Sequence, residues 1–406
     1  MLKSIELFAG AGGLGMGASM AGISPRAVVE RDKWACDTLE ENKDRGFPLV
    51  KDWPLYRADV RNLDFASFKD DIDLLLAGPP CQPFSIGGKH TGERDSRDMF
   101  CATASILRVV KPRAFIIENV RGLTRPAFAN YYQYILNQLE MPDLPAKEGE
   151  DWIMHFCRLE REKSAALYRG LRYETLPRIL NAADYGAPQK RERVFIVGFR
   201  ADEHIEWNFP SATHSADQLI RDKWITGEYW DRHEIPKQSR PRPPETLRSR
   251  INNLRQSNVL GGDHRRPWRT VRDTLATLPE PSVSGESDIF LNHRFQPGAR
   301  RYKGHTGSPM DDPAKALKAG DHGVPGGENM VVRDGGTVRY FTIREAARLQ
   351  TFPDGYVFHG AWSETMRQLG NAVPVTLAHR LAASVAEKLL EARMARMAGS
   401  GSTFDE

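Results

Sequence analysis

The first thirty residues set the strongest limit on what this chain can fold into. Lys3 to Ala9 is a short run suited to a strand, and it leads directly into Gly10-Ala11-Gly12-Gly13-Leu14-Gly15-Met16-Gly17. A helix begins by Ala18 and stops at Gly22, and Ala27-Val28-Val29 supplies a second strand that ends in Glu30. Strand, glycine turn and helix open a nucleotide-binding α/β unit. The glycines let the backbone approach a ligand, and the helix N-terminus offers free N–H groups. An acid at the end of the second strand can hold two ribose hydroxyls. On spacing alone, Gly10-x-Gly12-x-x-Gly15 followed by Glu30 fits a dinucleotide as well as a methyl-donor nucleoside.

More strands follow, and chemistry-bearing residues sit at their ends. A candidate near Tyr56-Arg57-Ala58 ends at Asp59-Val60; Asp59 suits an adenine amine or, equally, a helix cap. Ile72 to Ala77 is a short apolar run leading to Gly78-Pro79-Pro80-Cys81-Gln82-Pro83-Phe84-Ser85. The prolines fix the backbone around Cys81 and exclude helix, which presents a thiol on a rigid loop. A free cysteine is more often a small buried hydrophobe, and Cys36, Cys101 and Cys157 are assigned to the core on that ground. Arg113 to Ile117 is a buried strand ending in Glu118-Asn119-Val120. Gln189-Lys190-Arg191-Glu192-Arg193 precedes a last strand, Val194 to Gly198; Arg191 and Arg193 fall on one face of it, and one of them can partner Glu118.

Between these strands, Asp32 to Asn42, Asp98 to Val110 and Tyr131 to Gln138 have helical spacing. Ser85 to Arg97 is expected to be a mobile loop, 140–167 an irregular charged insertion, and Tyr173 to Asn181 a mixed segment. From residue 200 to about 326 the apolar periodicity fades. Within residues 221–270 there are 12 Lys and Arg against 6 Asp and Glu, with Trp268 set among Arg265, Arg266 and Arg269. A loop-rich basic module with inserted aromatics suits a nucleic acid backbone and groove. Regular structure returns at Val338. Thr342 and Glu345 form a capping box, Gly370 to Pro374 is a turn, Val375 to Met397 is a long amphipathic helix, and 399–406 is a polar tail without order.

The order of these motifs resembles the DNA cytosine-5 methyltransferases. The matching segments are Phe8 to Gly13, Pro79 to Ser85, Glu118 to Val120, Gln189 to Arg193, Arg344 to Gln350, and Gly370 to Pro374. The resemblance implies a doubly wound, Rossmann-like α/β domain dependent on S-adenosylmethionine, with a smaller, loop-rich target-recognition domain. It implies a catalytic domain over 1–199 and 327–398, target recognition over 200–326, and a tail from 399. It implies catalytic Cys81, Glu118 and Arg193. It places Phe8, Ala9, Gly10, Gly12, Gly13, Leu14, Glu30, Asp59, Val60, Pro80, Asn371 and Ala372 at the cofactor, and Gln82, Ser85, Asn119 and Arg191 at the substrate. Arg31 stands where members often carry an aromatic residue, and Ala372 where serine is usual.

The chemistry agrees with that resemblance. Carbon 5 of cytosine becomes nucleophilic once a thiolate adds at carbon 6, and an acid at N3 takes up the charge that this addition creates. The ring must leave the stacked duplex to be reached. The implied partner is double-stranded DNA, met by a monomer, in functional pairing with a restriction endonuclease without a stable complex. No metal is expected, because the four cysteines lie far apart with no ligand spacing. The same cysteine usage, with no signal peptide and no membrane-length apolar run, fits a bacterial cytoplasm. A transfer-RNA cytosine methyltransferase shares the motifs, but the large basic module favours a duplex reader. A NAD-dependent oxidoreductase leaves Cys81, Glu118 and Arg193 without a role, and an inert DNA-binding relative has no use for Cys81 and Glu118.

Overall fold

The computed structural model describes residues 1–80, 99–165, 168–257, 263–282, 290–319 and 327–400. Cys81, Gln82, Ser85 and the loop expected over 85–97 lie outside them. Two compact units emerge. One comprises Met1–Leu180, Glu192–Pro210 and Ala378–Glu406, the other Asn181–Arg191 and Ser211–Leu377. Residues 181–191 and 327–377 thus group with the second unit, whereas the sequence boundaries put both with the catalytic part.

The first unit is an α/β domain on one seven-stranded sheet. Its strands are β1 (Leu2–Leu7), β2 (Ile23–Glu30), β3 (Leu55–Arg57), β4 (Leu74–Ala77), β5 (Ala114–Val120), β6 (Tyr173–Asn181) and β7 (Glu192–Arg200), in the order β3-β2-β1-β4-β5-β7-β6. Pairings from β3 across to β5 are parallel, and β5 with β7 is antiparallel. The order reverses between β1 and β4, so the crevice at their carboxyl ends is the place where an open α/β sheet takes its ligand.

Helix α1 (Gly13–Met20) follows β1, α2 (Lys33–Asp44) follows β2, and α3 (Met99–Val110) and α4 (Ala129–Glu140) flank β5 in sequence. Ile5, Leu7, Val29, Leu75, Phe115, Ile117 and Ile196 from the strands join Phe100 and Leu107 of α3 and Ile135 of α4 in one core cluster. Gly17 of α1 lies so close to helix α12 (Val375–Ser400) that a Cβ there would overlap Ala378.

Four expectations are corrected. Residues 140–167 are not irregular: α5 (Trp152–Ser164) forms there, with Asp151 accepting from the Met154 N–H at its start. Tyr173–Asn181 is a full strand. The C-terminal helix continues to Ser400, past the expected start of the tail. Cys36 is buried as expected, but Cys101 and Cys157 are exposed.

The second unit contains α6 (Ala216–Arg221), α7 (Glu228–Arg232), α8 (Arg248–Ser257), α9 (Val271–Leu275), α10 (Ile343–Leu349) and α11 (Trp362–Asn371), with a small sheet of Ser308–Pro309, Met330–Val332 and Val338–Tyr340. Leu219, Tyr229 and Trp230 form a local apolar cluster. The expected capping box is present: Thr342 and Glu345 exchange bonds at the start of α10, and both Glu345 oxygens also accept from Arg339 at 2.6 Å. Gly370 and Asn371, expected in a turn, close the last turn of α11.

Candidate active site and cofactor turn

The chain leaves β1 through a tightly bent turn. Phe8 has φ 57°, a left-handed conformation that costs a bulky side chain energy and is held only where the surroundings demand it. Gly10 and Gly12 also have positive φ, at 54° and 82°. The turn is packed on one side and open on the other. A Cβ on Gly12 would press on Trp53 at 2.9 Å, whereas one on Gly10 would meet nothing within 4 Å. Helix α1 starts at Gly13, with no side-chain cap from its N-cap residue Gly12. Leu14 and Ala9 are buried.

Glu30 ends β2 and braces the same turn. Its Oε2 accepts from the Gly10 N–H at 2.7 Å, and its Oε1 accepts from the N–H groups of Arg31 and Asp32 at 2.8 and 2.7 Å. A carboxylate has about four acceptor sites, so three such bonds leave capacity for a further donor. Asp59 begins a short 3-10 turn that contains the buried Val60, and it caps that turn through the Arg61 N–H. Its carboxylate accepts from the Arg61 and Arg31 guanidiniums at 2.7 and 3.0 Å. These arginines, Arg61 foremost, hold the Asp59 carboxyl well below the usual carboxylate range. Asp59 is thus already engaged by two arginines. Pro80 is exposed at the edge of the described segment.

Sequence reasoning passed over Glu6. Strand alternation turns Ile5 and Leu7 into the core and Glu6 the opposite way, against α1. There Oε1 accepts from the Gly15 N–H at 2.9 Å, and the buried Oε2 has no partner. A Cβ at Gly15 would overlap that oxygen, so glycine is required for the helix to pass. Burial pushes the Glu6 carboxyl up from 4.5 to about 8, opposed by the Gly15 N–H and reinforced by Glu30. The available signal was an acid inside an otherwise apolar strand, nine residues before a helical glycine.

That shift has a thermodynamic consequence. A group protonated in the folded state and ionised in the unfolded state makes stability fall as pH rises, here between about 4.5 and about 8. The Glu6 contribution is fully present below that window and is lost as pH climbs through it, by up to about 1.4 kcal/mol per pH unit. Glu6→Gln keeps an acceptor for Gly15 and cannot ionise. Urea melts at pH 5.5, 7 and 8.5 are expected to show a shallower decline for the variant and a variant more stable than wild type at pH 8.5.

The second cluster lies at the ends of β4, β5 and β7. Glu118, 8% exposed, points from β5. Arg193 stands opposite Val120 on the antiparallel neighbour, hence diagonal to Glu118 on the same face. Its Nε donates to Glu118 Oε1 at 3.0 Å, and its Nη1 donates to the Glu192 carbonyl at 2.9 Å. Burial draws the Arg193 guanidinium below its ordinary value, and the facing carboxylate opposes that. Gly78, the first residue past β4, faces Glu118: a Cβ there would lie 3.7 Å from Oε2. Asn119 is 3% exposed; its amide donates to the Pro79 carbonyl at 2.9 Å and its Oδ1 accepts from the Val120 N–H at 2.8 Å. The Asn119 side chain thus ties Pro79 to the end of β5.

The two arginines part company. Arg193 belongs to the sheet of the first unit. Arg191 is fully buried in the second, donating to the carbonyls of Leu317 at 3.1 Å and Gly370 at 2.6 Å. They do not share a face, because the two-residue strand Gln189–Lys190 pairs with Ala314–Lys315 and the chain changes partner before β7 begins. A guanidinium so enclosed holds three segments together and cannot contact a substrate, which corrects that expectation. Gln189 works beside it: Oε1 accepts from the Leu317 N–H at 2.9 Å, and Nε2 donates to the Leu349 carbonyl at 3.3 Å. Gln350 donates to the carbonyls of Leu369 and Ala372. The segments around Gln189, Gln350 and Gly370 therefore form one hydrogen-bonded knot, with Ala372 buried in it and Asn371 exposed at the end of α11.

The sequence pattern of C-5 cytosine-specific DNA methylases matches residues 2–143 and 162–387. The chain belongs to this family. The methylase is 30% identical over 377 residues to the type II methyltransferase M.PspPI of a Psychrobacter species, covering 92% of this chain and 76% of that one. It is 29% identical over 388 residues to M.Eco47II of Escherichia coli, covering 95% and 79%. Among solved structures, a DNMT2 variant of Spodoptera frugiperda superposes with a TM-score of 0.55 at 15% identity, covering 96% of the methylase and all of that chain, a likeness of fold. The Rossmann-like α/β architecture expected from the sequence is thus the one found. Among the described residues of the methylase, no group of His, Cys, Asp and Glu could hold a metal, and no helix is long and apolar enough to cross a membrane.

Proposed function

We propose that this DNA (cytosine-5) methyltransferase uses S-adenosylmethionine to methylate an extruded cytosine in a specific duplex sequence. We further propose that it protects that sequence from a cognate restriction endonuclease, acting as a monomer in the bacterial cytoplasm. The observation that carries this reading is the Glu118–Arg193 pair, 3.0 Å apart beside the segment that Asn119 ties down just before Cys81. An oxidoreductase has no use for that arrangement. The relatives' designation as type II methyltransferases supports the protective role.

The glycine turn fits the methyl donor. Gly10 leaves open space beside the start of α1, and Glu30 retains acceptor capacity for ribose hydroxyls. When bound, S-adenosylmethionine supplies an electrophilic methyl group. Phe8, Gly10, Leu14, Glu30 and Val60 would hold it.

The remaining steps belong to the protein. The Cys81 thiolate adds to carbon 6 of the cytosine, forming a C–S bond and moving the electron pair of the 5,6 double bond toward carbon 5 and N3. Glu118 meets the charge at N3 by donating or sharing a proton. Arg193 orients that carboxyl and steadies the O2 edge of the ring. After methylation, loss of the carbon 5 proton to a base restores the double bond and expels Cys81. Gln82 and Ser85 flank the nucleophile and are assigned to the extruded base.

Incubation with plasmid DNA and isotopically labelled S-adenosylmethionine, followed by base-resolution mapping, is expected to find label only in 5-methylcytosine within one recurring sequence. A parallel transfer-RNA substrate is expected to stay unlabelled. Label in RNA but not DNA would reverse the assignment.

A further inference from the structure

Helix α8 (Arg248–Ser257) has the sequence Arg-Ser-Arg-Ile-Asn-Asn-Leu-Arg-Gln-Ser. It contains no acid and no lysine, unlike an ordinary solvated helix face, which mixes both signs. One edge is anchored. Ile251 is 4% exposed, Leu254 is half-buried, and Arg221 of α6 donates to the Leu254 carbonyl at 2.9 Å. Arg250 donates to Asp217 of α6 at 2.6 Å, which pairs that charge within the chain.

The rest of the helix surface is exposed: Arg248 and Arg255 lie one turn either side of Ile251, beside the anchored edge, and Ser249, Asn252, Asn253 and Gln256 turn away from it. Arg248 pairs only with the exposed Glu245 at 3.0 Å, and no partner is seen for Asn252, Asn253, Arg255 or Gln256 among the described residues. Two adjacent asparagines in the middle of a helix are unfavourable, each costing about half a kcal/mol against alanine. Here they neither cap nor pack. A local choice that works against the helix, on a face otherwise free, marks a site kept for something outside the chain.

We propose that α8 is a recognition helix that enters the major groove of the substrate duplex, where Asn252 and Asn253 read bases and Arg248 and Arg255 flank them on guanine or phosphate. The chemistry that suits this face is that of base edges: asparagine and glutamine pair with N6 and N7 of adenine in two bonds, and arginine with O6 and N7 of guanine. At about 15 Å long, the helix matches a groove about 12 Å wide. The inference rests on the reading that the second unit docks DNA.

The test compares full-length wild type with Asn252→Ala, Asn253→Ala and the double variant, by mapping methylation on a randomised duplex library. Thermal melting and the salt dependence of DNA binding are recorded alongside. Alanine is the better helix former, so the melting midpoint is expected to hold or rise, which separates the result from misfolding. Discrimination at one or two base positions is expected to fall about 10-fold or more per asparagine, with the salt slope unchanged. Arg255→Ala is expected to weaken binding and flatten the slope. An unchanged methylation profile in the double variant overturns the proposal. If Arg266→Ala and Arg269→Ala then still weaken DNA binding, α8 alone is excluded. If they do not, the DNA-docking reading of the second unit falls with it.

Discussion

Cys81→Ser is expected to abolish measurable methyl transfer, a loss on the order of 10⁴-fold or more, while binding of S-adenosylmethionine survives. Serine has nearly the size of cysteine, so the change isolates nucleophilicity. A thiol reaches its reactive anion near neutral pH; a hydroxyl without an adjacent base does not. The segment entering this position is rigid for reasons outside it. Pro79 is fixed by the Asn119 amide, and Gly78 sits against Glu118. Two measurements separate chemistry from binding: methyl incorporation into plasmid DNA, and calorimetric titration with the cofactor. Wild type is also expected to form a covalent complex with duplex DNA carrying 5-fluorocytosine at the target, because carbon 5 then has no proton to lose. The serine variant is expected to form none. Turnover by the variant within 100-fold of wild type would remove Cys81 from the mechanism.

Glu118→Gln is expected to lower kcat by about 10²- to 10⁴-fold, the range that a positioned acid contributes. KM for DNA should change little. The amide oxygen can still accept from Arg193 Nε, now 3.0 Å from the carboxylate, so the strand ends keep their arrangement. Arg193→Ala provides the contrast. It leaves the Glu118 carboxylate enclosed without its guanidinium, and it is expected to cost stability by about 3 kcal/mol or more as well as activity. Single-turnover rates and melting midpoints measured together distinguish the two effects. Equal rates for Glu118→Gln and wild type would show that N3 is met by another group.

The sequence disclosed most where chemistry and fold impose the same pattern. Strand ends carrying Glu30, Glu118 and Arg193 were legible because a buried parallel strand is a short apolar run, and an acid at its end stands out. Helix α5 was not legible because it buries only His155 and Leu159, too few to show a period. Strand β6 was hidden in a similar way. It lies at the sheet edge, contains Pro177, and buries little beyond Tyr173 and Leu180. The direction of Arg191 depended on where the chain changes partner, which alternation along one strand cannot reveal. Glu6 carried a visible signal, an acid within an apolar strand, but its meaning came only from Gly15 nine residues later.

The way the chain threads its two units governs how it can be made. The first unit begins at Met1, yet it takes its last helix from Ala378 onward. Gly17 lies against Ala378, the Trp207 indole donates to Ser384 at 2.8 Å, and Arg113 donates to the Leu389 carbonyl at 3.0 Å. A ribosome working from the N-terminus therefore delivers β1 and α1 early but withholds the helix that packs against α1 for more than 350 residues. The sheet must wait, partly uncovered, through synthesis of the whole second unit. Truncation anywhere before residue 378 leaves that surface bare, so a partial chain is a target for chaperones and proteases rather than a smaller enzyme.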